Sequence, residues 1–296
     1  MRVTSNSFPQ GLVEQLQRLT GKMSTLQTQA STGQRITQPS DDPAAAVRVL
    51  NFQSDRARIA QYQRNAQRAQ DIVNASIGQV RNLVNVSDRA NEIVSLTNDV
   101  TGTDAMKTYG TEVDALLEQS LTNANATFND EPLFGGTTGG TPFTAVRDAN
   151  GRITSISYTG SATTASMQVS EGSSLSPYTS ASTNQQIGDF LNNLVSLRDA
   201  LQSGSSAAVR ATSPALQTTE DSLINTVSDR GALQQRLNIE TAQNSSRYTD
   251  LAEQVSRDAD ADLAQTIVNL TQNQNAYQAA LMSAGKILDK SLLDYI

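Results

Sequence analysis

Apolar positions near both ends of the chain fall into heptad stripes. Near the start, Leu12, Leu16, Leu19, Met23, Leu26 and Ala30 follow one another in alternating steps of four and three. Near the end, Leu263, Ile267, Leu270, Gln274, Tyr277, Leu281, Ala284 and Leu288 do the same. Each stripe predicts an amphipathic helix whose seam needs a partner, because a lone helix cannot bury it. The first seam covers about 20 residues, roughly 30 Å of helix. Two such helices leave their flanks open, so the ends are expected to fold fully only when several copies pack together.

Between the stripes the pattern changes twice. Pro9 and Gly11 oppose an early helix, and Gly33 suits a C-terminal cap. Asp42 before Pro43 is a helix start: the carboxylate can accept orphan amides, and proline is tolerated in the first turn. From Pro43 to about Asn98 there is no further proline. Small and apolar positions from Ile59 through Tyr62, Ala66, Val73, Val80 and Leu83 to Val94 predict one helix on the order of 80 Å long. Gly102 interrupts, and another helix carries Met106, Val113 and Leu116. Over 130–183, Gly and Pro cluster and short alternating runs appear. "PFTAVRDANGRITSISYTG" reads as two strands around a turn at Asp148 to Gly151, and "SMQVSEG" as a third. Helix resumes near Gln185, breaks at "QSGSSA", restarts near Ser213 and Pro214, and passes Asp258 into the closing seam.

This plan predicts a mainly α fold: an elongated antiparallel helical rod with terminal coiled-coil helices and a small β-rich insert. Three domains are expected: a terminal assembly domain of 1–40 with 259–296, a rod of 41–129 with 185–258, and an outer domain of 130–184. The terminal seams are expected to meet, with Leu12, Leu16, Leu19, Met23 and Leu26 facing Leu263, Ile267, Leu270, Tyr277, Leu281 and Leu288.

Composition narrows the chemistry. A net charge of −7 and a pI near 4.7 argue against nucleic acid and anionic membrane surfaces. His, Cys and Trp are absent, which removes disulfides, thiolate chemistry and the usual neutral-pH base. No apolar run is long enough to span a bilayer. The start, "MRVTSNSFPQGL", lacks the apolar core of a cleavable signal.

Candidate sites favour structural readings. "DADAD" (Asp258, Asp260, Asp262) opens like a calcium loop, but Leu263 and Asn269 stand where Gly and Glu are needed. "GGTTGG" (Gly135 to Gly140) has no Gly-Lys-Ser/Thr after it. Asp41 and Asp42 form an acid pair best read as helix capping, with Arg35 as an ion-pair partner. No catalytic residue, cofactor or metal site is expected, and the chain is not expected to be an enzyme.

Two stretches carry a resemblance. "LQTQASTGQRITQPSDDPAAAV", which contains Gly33, Arg35, Asp41, Asp42 and Pro43, resembles the N-terminal motif of the flagellin superfamily. "SRDADADLAQTIVNLTQNQNAYQAAL" resembles its C-terminal motif. Within that superfamily, "FNDEPLFGGTTGGTPF" and the ending "AALMSAGKILDKSLLDYI" resemble the hook–filament junction family, the third hook-associated proteins. Filament flagellin is the alternative, since "FND" keeps part of the flagellin wording. The resemblance implies a structural adaptor of the bacterial flagellum, with ring self-association. Its implied partners are the other junction protein, flagellin and an export chaperone on the C-terminal helix. It implies an extracellular place, reached by type III export without a cleaved signal.

Overall fold

The computed structural model describes residues 7–97 and 100–293, with side chains described over 10–97 and 100–286. The chain is mainly α. In order come α1 (Ser7–Thr32), α2 (Pro43–Leu96) and α3 (Thr103–Ala124), then β1 (Thr127–Phe128), β2 (Glu131–Pro132), β3 (Phe143–Arg147), β4 (Ile153–Tyr158), β5 (Met167–Ser170) and β6 (Ser173–Leu175), and finally α4 (Ala181–Ser203), α5 (Ser206–Ala259) and α6 (Leu263–Leu293).

Two prolines lie inside helices, Pro9 where it is expected to oppose one and Pro214 where it is expected to open one. Helix α1 runs through Pro9 and Gly11, because Pro9 lies in the first turn, where its missing N–H would have had no partner. Helix α5 contains Pro214 and begins eight residues before it. The flanking turns are held by Val209 and Leu216, both fully buried, and the Ser205 hydroxyl accepts from the Ala208 amide at 3.2 Å to start the helix. Packing outweighs the single backbone bond that Pro214 forfeits. The start of α2 is as the sequence predicts: Asp42 Oδ1 accepts from the Ala45 amide at 3.0 Å.

The chain folds as two compact units, one of residues up to Arg58 with those from Arg247 onward, the other Ile59–Ser246. In the second unit, α3 packs on α4 and β4 lies against α4. Its core centres on Phe134, Phe143, Phe190, Leu117, Leu191 and Leu194. The insert consists of three separate antiparallel pairs, β1–β2, β3–β4 and β5–β6. The turn at Asp148 is present, with its Oδ1 accepting from the amides of Asn150 and Arg152. "SMQVSEG" forms β5, which pairs with β6 rather than extending the β3–β4 sheet. Pair β1–β2 is one the sequence pattern does not announce. Asn129 and Asp130 both take positive φ, 49° and 63°, the signature of a two-residue type I′ hairpin.

Asparagines from the helices hold the β3–β4 hairpin along its backbone. Asn125, after α3, donates to the Phe143 carbonyl and accepts from the Phe143 amide, both at 2.9 Å. On α4, Asn192 accepts from the Ile156 amide and donates to the Ile156 carbonyl. Each side-chain amide substitutes for a neighbouring strand's peptide group. Among the described residues, no helix is long and apolar enough to cross a membrane.

Candidate assembly site

In the first unit, α1 packs against α6. Asn273 Nδ2 donates to the Leu19 carbonyl at 2.8 Å, and an antiparallel bridge joins Gln34 and Asp260. On α1 the heptad stripe is the more buried side: Leu26 is 8% exposed, and Leu12, Leu16, Leu19 and Met23 are half-buried.

The expected facing stripe of α6 is not the one that faces α1. Thr266 and Asn273 are buried, at 6% and 7% exposure. Leu270, Tyr277, Ala280 and Ala284 are half-buried beside them. Leu263, Ile267 and Leu281 stay exposed, at 47%, 55% and 45%. The Leu288 side chain lies outside the described residues. Both stripes repeat in steps of four and three and share Leu270, Tyr277 and Ala284, so periodicity alone could not choose between them. At the positions the two do not share, the inward stripe is small or polar, with Thr266, Asn273 and Ala280, and the outward one carries Leu263, Ile267 and Leu281 beside Gln274.

Behind the seam, a cluster of charges and backbone bonds fixes how the ends connect. Gly33 closes α1 at φ 70°, a left-handed conformation that favours glycine. Its carbonyl accepts from the Ala261 amide at 2.8 Å, and the Arg35 amide donates to the Ala259 carbonyl at 2.6 Å. Arg35 reaches two ways: Nη2 donates to the Asp258 carbonyl at 2.7 Å, and Nη1 to Asp42 Oδ2 at 3.3 Å. Arg48 grips the Asp258 carboxylate with two bonds, of 2.9 and 3.1 Å. Asp41 Oδ2 accepts from the Thr37 and Gln38 amides and the Thr37 hydroxyl.

The charged ends of this joint are held as carboxylates. The Gln38 amide, then the amide and hydroxyl of Thr37, lower the Asp41 pKa. The Ala45 amide, with help from Arg35, lowers that of Asp42. The Arg48 guanidinium lowers that of Asp258. The three acids of "DADAD" thus have separate roles. Asp258 binds Arg48, Asp260 accepts from the Ser256 hydroxyl, and Asp262 caps α6 by accepting from the Gln265 amide. Asp41 and Asp42 act as a turn acceptor and a helix cap, so the acid pair is accounted for by backbone bonding. Beside the joint lies a groove of ≈ 230 Å³ walled in part by Ile36, Pro39, Val49, Leu50 and Val255.

Residues 3–138 match the family model of the bacterial flagellin N-terminal helical region. The Gly33–Pro43 motif lies inside the matched stretch, and its partners at Asp258, Ala259 and Ala261 lie beyond it. No curated protein matches the chain. Several solved structures share its fold. One of Vibrio parahaemolyticus, described as a flagellar hook-associated protein, is 19% identical with a TM-score of 0.65, covering 74% of this chain and 100% of its own. FlgL of Bacillus cereus is 17% identical with a TM-score of 0.60, covering 70% and 99%. The flagellar junction protein FlgL of Legionella pneumophila is 14% identical with a TM-score of 0.53, covering 72% and 100%.

Sequence reading missed the inward polar residues of α6 and, of the two partners of Arg35, the Asp258 carbonyl. Asn273 sits three residues after Leu270 and four before Tyr277, so a heptad count that admitted Asn would have found it. The main acceptor of Arg35 is a backbone carbonyl 223 residues away, which no side-chain pattern encodes.

Proposed function

We propose that this chain is a structural adaptor at the hook–filament junction of the bacterial flagellum. It joins the hook side, through the other junction protein, to the flagellin filament, and its terminal helices template filament growth by coiled-coil packing. The fold shared with hook-associated and junction proteins over almost their whole lengths carries this reading. The outward apolar stripe of α6 supports it, since neighbouring copies in a ring, or flagellin, would cover Leu263, Ile267 and Leu281. The role is mechanical, not catalytic. In the unassembled chain the same stripe invites aggregation, and an export chaperone bound to α6 would shield it. The chain acts outside the cell, after export without a cleaved signal.

Flagellin itself is the second reading, favoured by the match of residues 3–138 to the flagellin region. Deleting the gene in its own bacterium separates the two. Loss of the adaptor leaves hooks without filaments while intact flagellin escapes into the medium. If instead the filament protein itself disappears from both cells and medium, the chain is flagellin.

A further inference from the structure

We infer that Asn273 selects which face of α6 turns toward α1, and thereby keeps the Leu263–Ile267–Leu281 stripe outward. The two candidate faces are close: averaging their positions at 100° per residue separates them by only about 50° of rotation. They share Leu270, Tyr277 and Ala284, so both rotations bury part of the same surface. Apolar burial alone favours turning Leu263, Ile267 and Leu281 inward. The structure does the opposite and buries Thr266 and Asn273.

What the inward face has, and the apolar face lacks, is a directed bond. Asn273 Nδ2 reaches the Leu19 carbonyl across the seam at 2.8 Å. A buried polar residue at one core position of a helix pair fixes register and facing at some cost in stability. The bond also fixes a register. With Leu19 opposite Asn273, one heptad further along the antiparallel pair places Leu26 opposite Thr266, and both are buried. The joint at Gly33 and Ala261 anchors the near end of the pair, and Asn273 anchors it two turns beyond Thr266.

That the outward stripe serves assembly rests on the reading above, but the choice of face does not, and the test reads the face directly. The native chain has no cysteine, so introduced pairs report without background. In the full-length chain, L26C with T266C reports the inward polar face, and L26C with I267C the rotated one. Disulfide yield under mild oxidation is compared in three backgrounds: Asn273, N273A and N273Q. We expect the 26–266 pair to form in preference in the parent, that preference to be lost in N273A, where the rotated face sets 266 and 267 about equally far from the seam, and Gln, which keeps the amide donor, to restore it. An unchanged ratio in N273A, or no preference in the parent, overturns the inference. Assembly of the same variants on hook ends is scored separately. A lost preference with normal assembly would leave the face selection standing and count against the stripe as the assembly surface.

Discussion

Replacing Ile267 by Ala, beside Leu26 by Ala, separates what α6 does inside the chain from what it does between copies. Leu26 is 8% exposed and lies in the α1–α6 seam. Truncating a buried Leu costs about 2–5 kcal/mol, and the lower end applies to a two-helix seam that can collapse onto the gap. Ile267 is 55% exposed. In the free chain its truncation is expected within about 0.5 kcal/mol, as for an ordinary surface change. On assembly the remaining half of the side chain is covered. Full burial of Ile is worth about 1.5–3 kcal/mol, so the uncovered part contributes about 0.8–1.6 kcal/mol per contact, a factor of roughly 4 to 15 in association. Circular dichroism melting of the free chain and sedimentation of assembled material read the two quantities. Leu26→Ala should lower the melting of the terminal helices, while Ile267→Ala leaves melting unchanged and weakens assembly. Equal losses of melting stability in the two variants would refute the division of α6 into an inner and an outer face.

Acid should loosen the joint. Asp258, Asp42 and Asp41 have folded pKa values below their ordinary ones, so their stabilisation is complete above the unfolded pKa and is lost as pH falls through the folded one. Protection of the Arg35 and Ala261 amides against hydrogen exchange, taken relative to the intrinsic rate at each pH, should therefore fall on acidification, and Asp258→Asn should flatten that dependence; an unchanged pH profile in the variant would contradict the assignment. Asn192→Ala removes a group that both accepts from and donates to the Ile156 peptide and should destabilise the second unit by about 1–3 kcal/mol, read by thermal unfolding. Gly33→Ala meets open space but keeps φ near 70°, so its cost of about 1–2 kcal/mol comes from backbone strain alone, measurable as lower helicity of the terminal pair.

Much of the helical plan was legible because long apolar periods dominate it. The start of α2 at Pro43, the Gly102 break and the Asp148 turn each rest on local chemistry that acts wherever the residue sits. Pro9 and Pro214 misled because a proline's effect depends on its distance from the helix start and on burial nearby. The Asn129–Asp130 hairpin has strands of two residues each, too short for an alternating pattern. Site legibility divided the same way. Asp42 as cap and Gly33 as terminator follow from local rules, and the structure places both so. The facing of α6 did not follow, because two overlapping stripes satisfy the same period and a single Asn–carbonyl bond favours the more polar one. The joint's central contact, Arg35 to the Asp258 carbonyl, depends on two segments meeting that are distant in sequence.

The most direct test of the adaptor reading is electron microscopy of the purified chain added to isolated hooks and short filament seeds, with and without flagellin. The account predicts that the chain alone makes no long filament, that it binds hook ends carrying the other junction protein, and that flagellin then grows from those ends. Long filaments grown from seeds by the chain alone would contradict it and make the chain a flagellin.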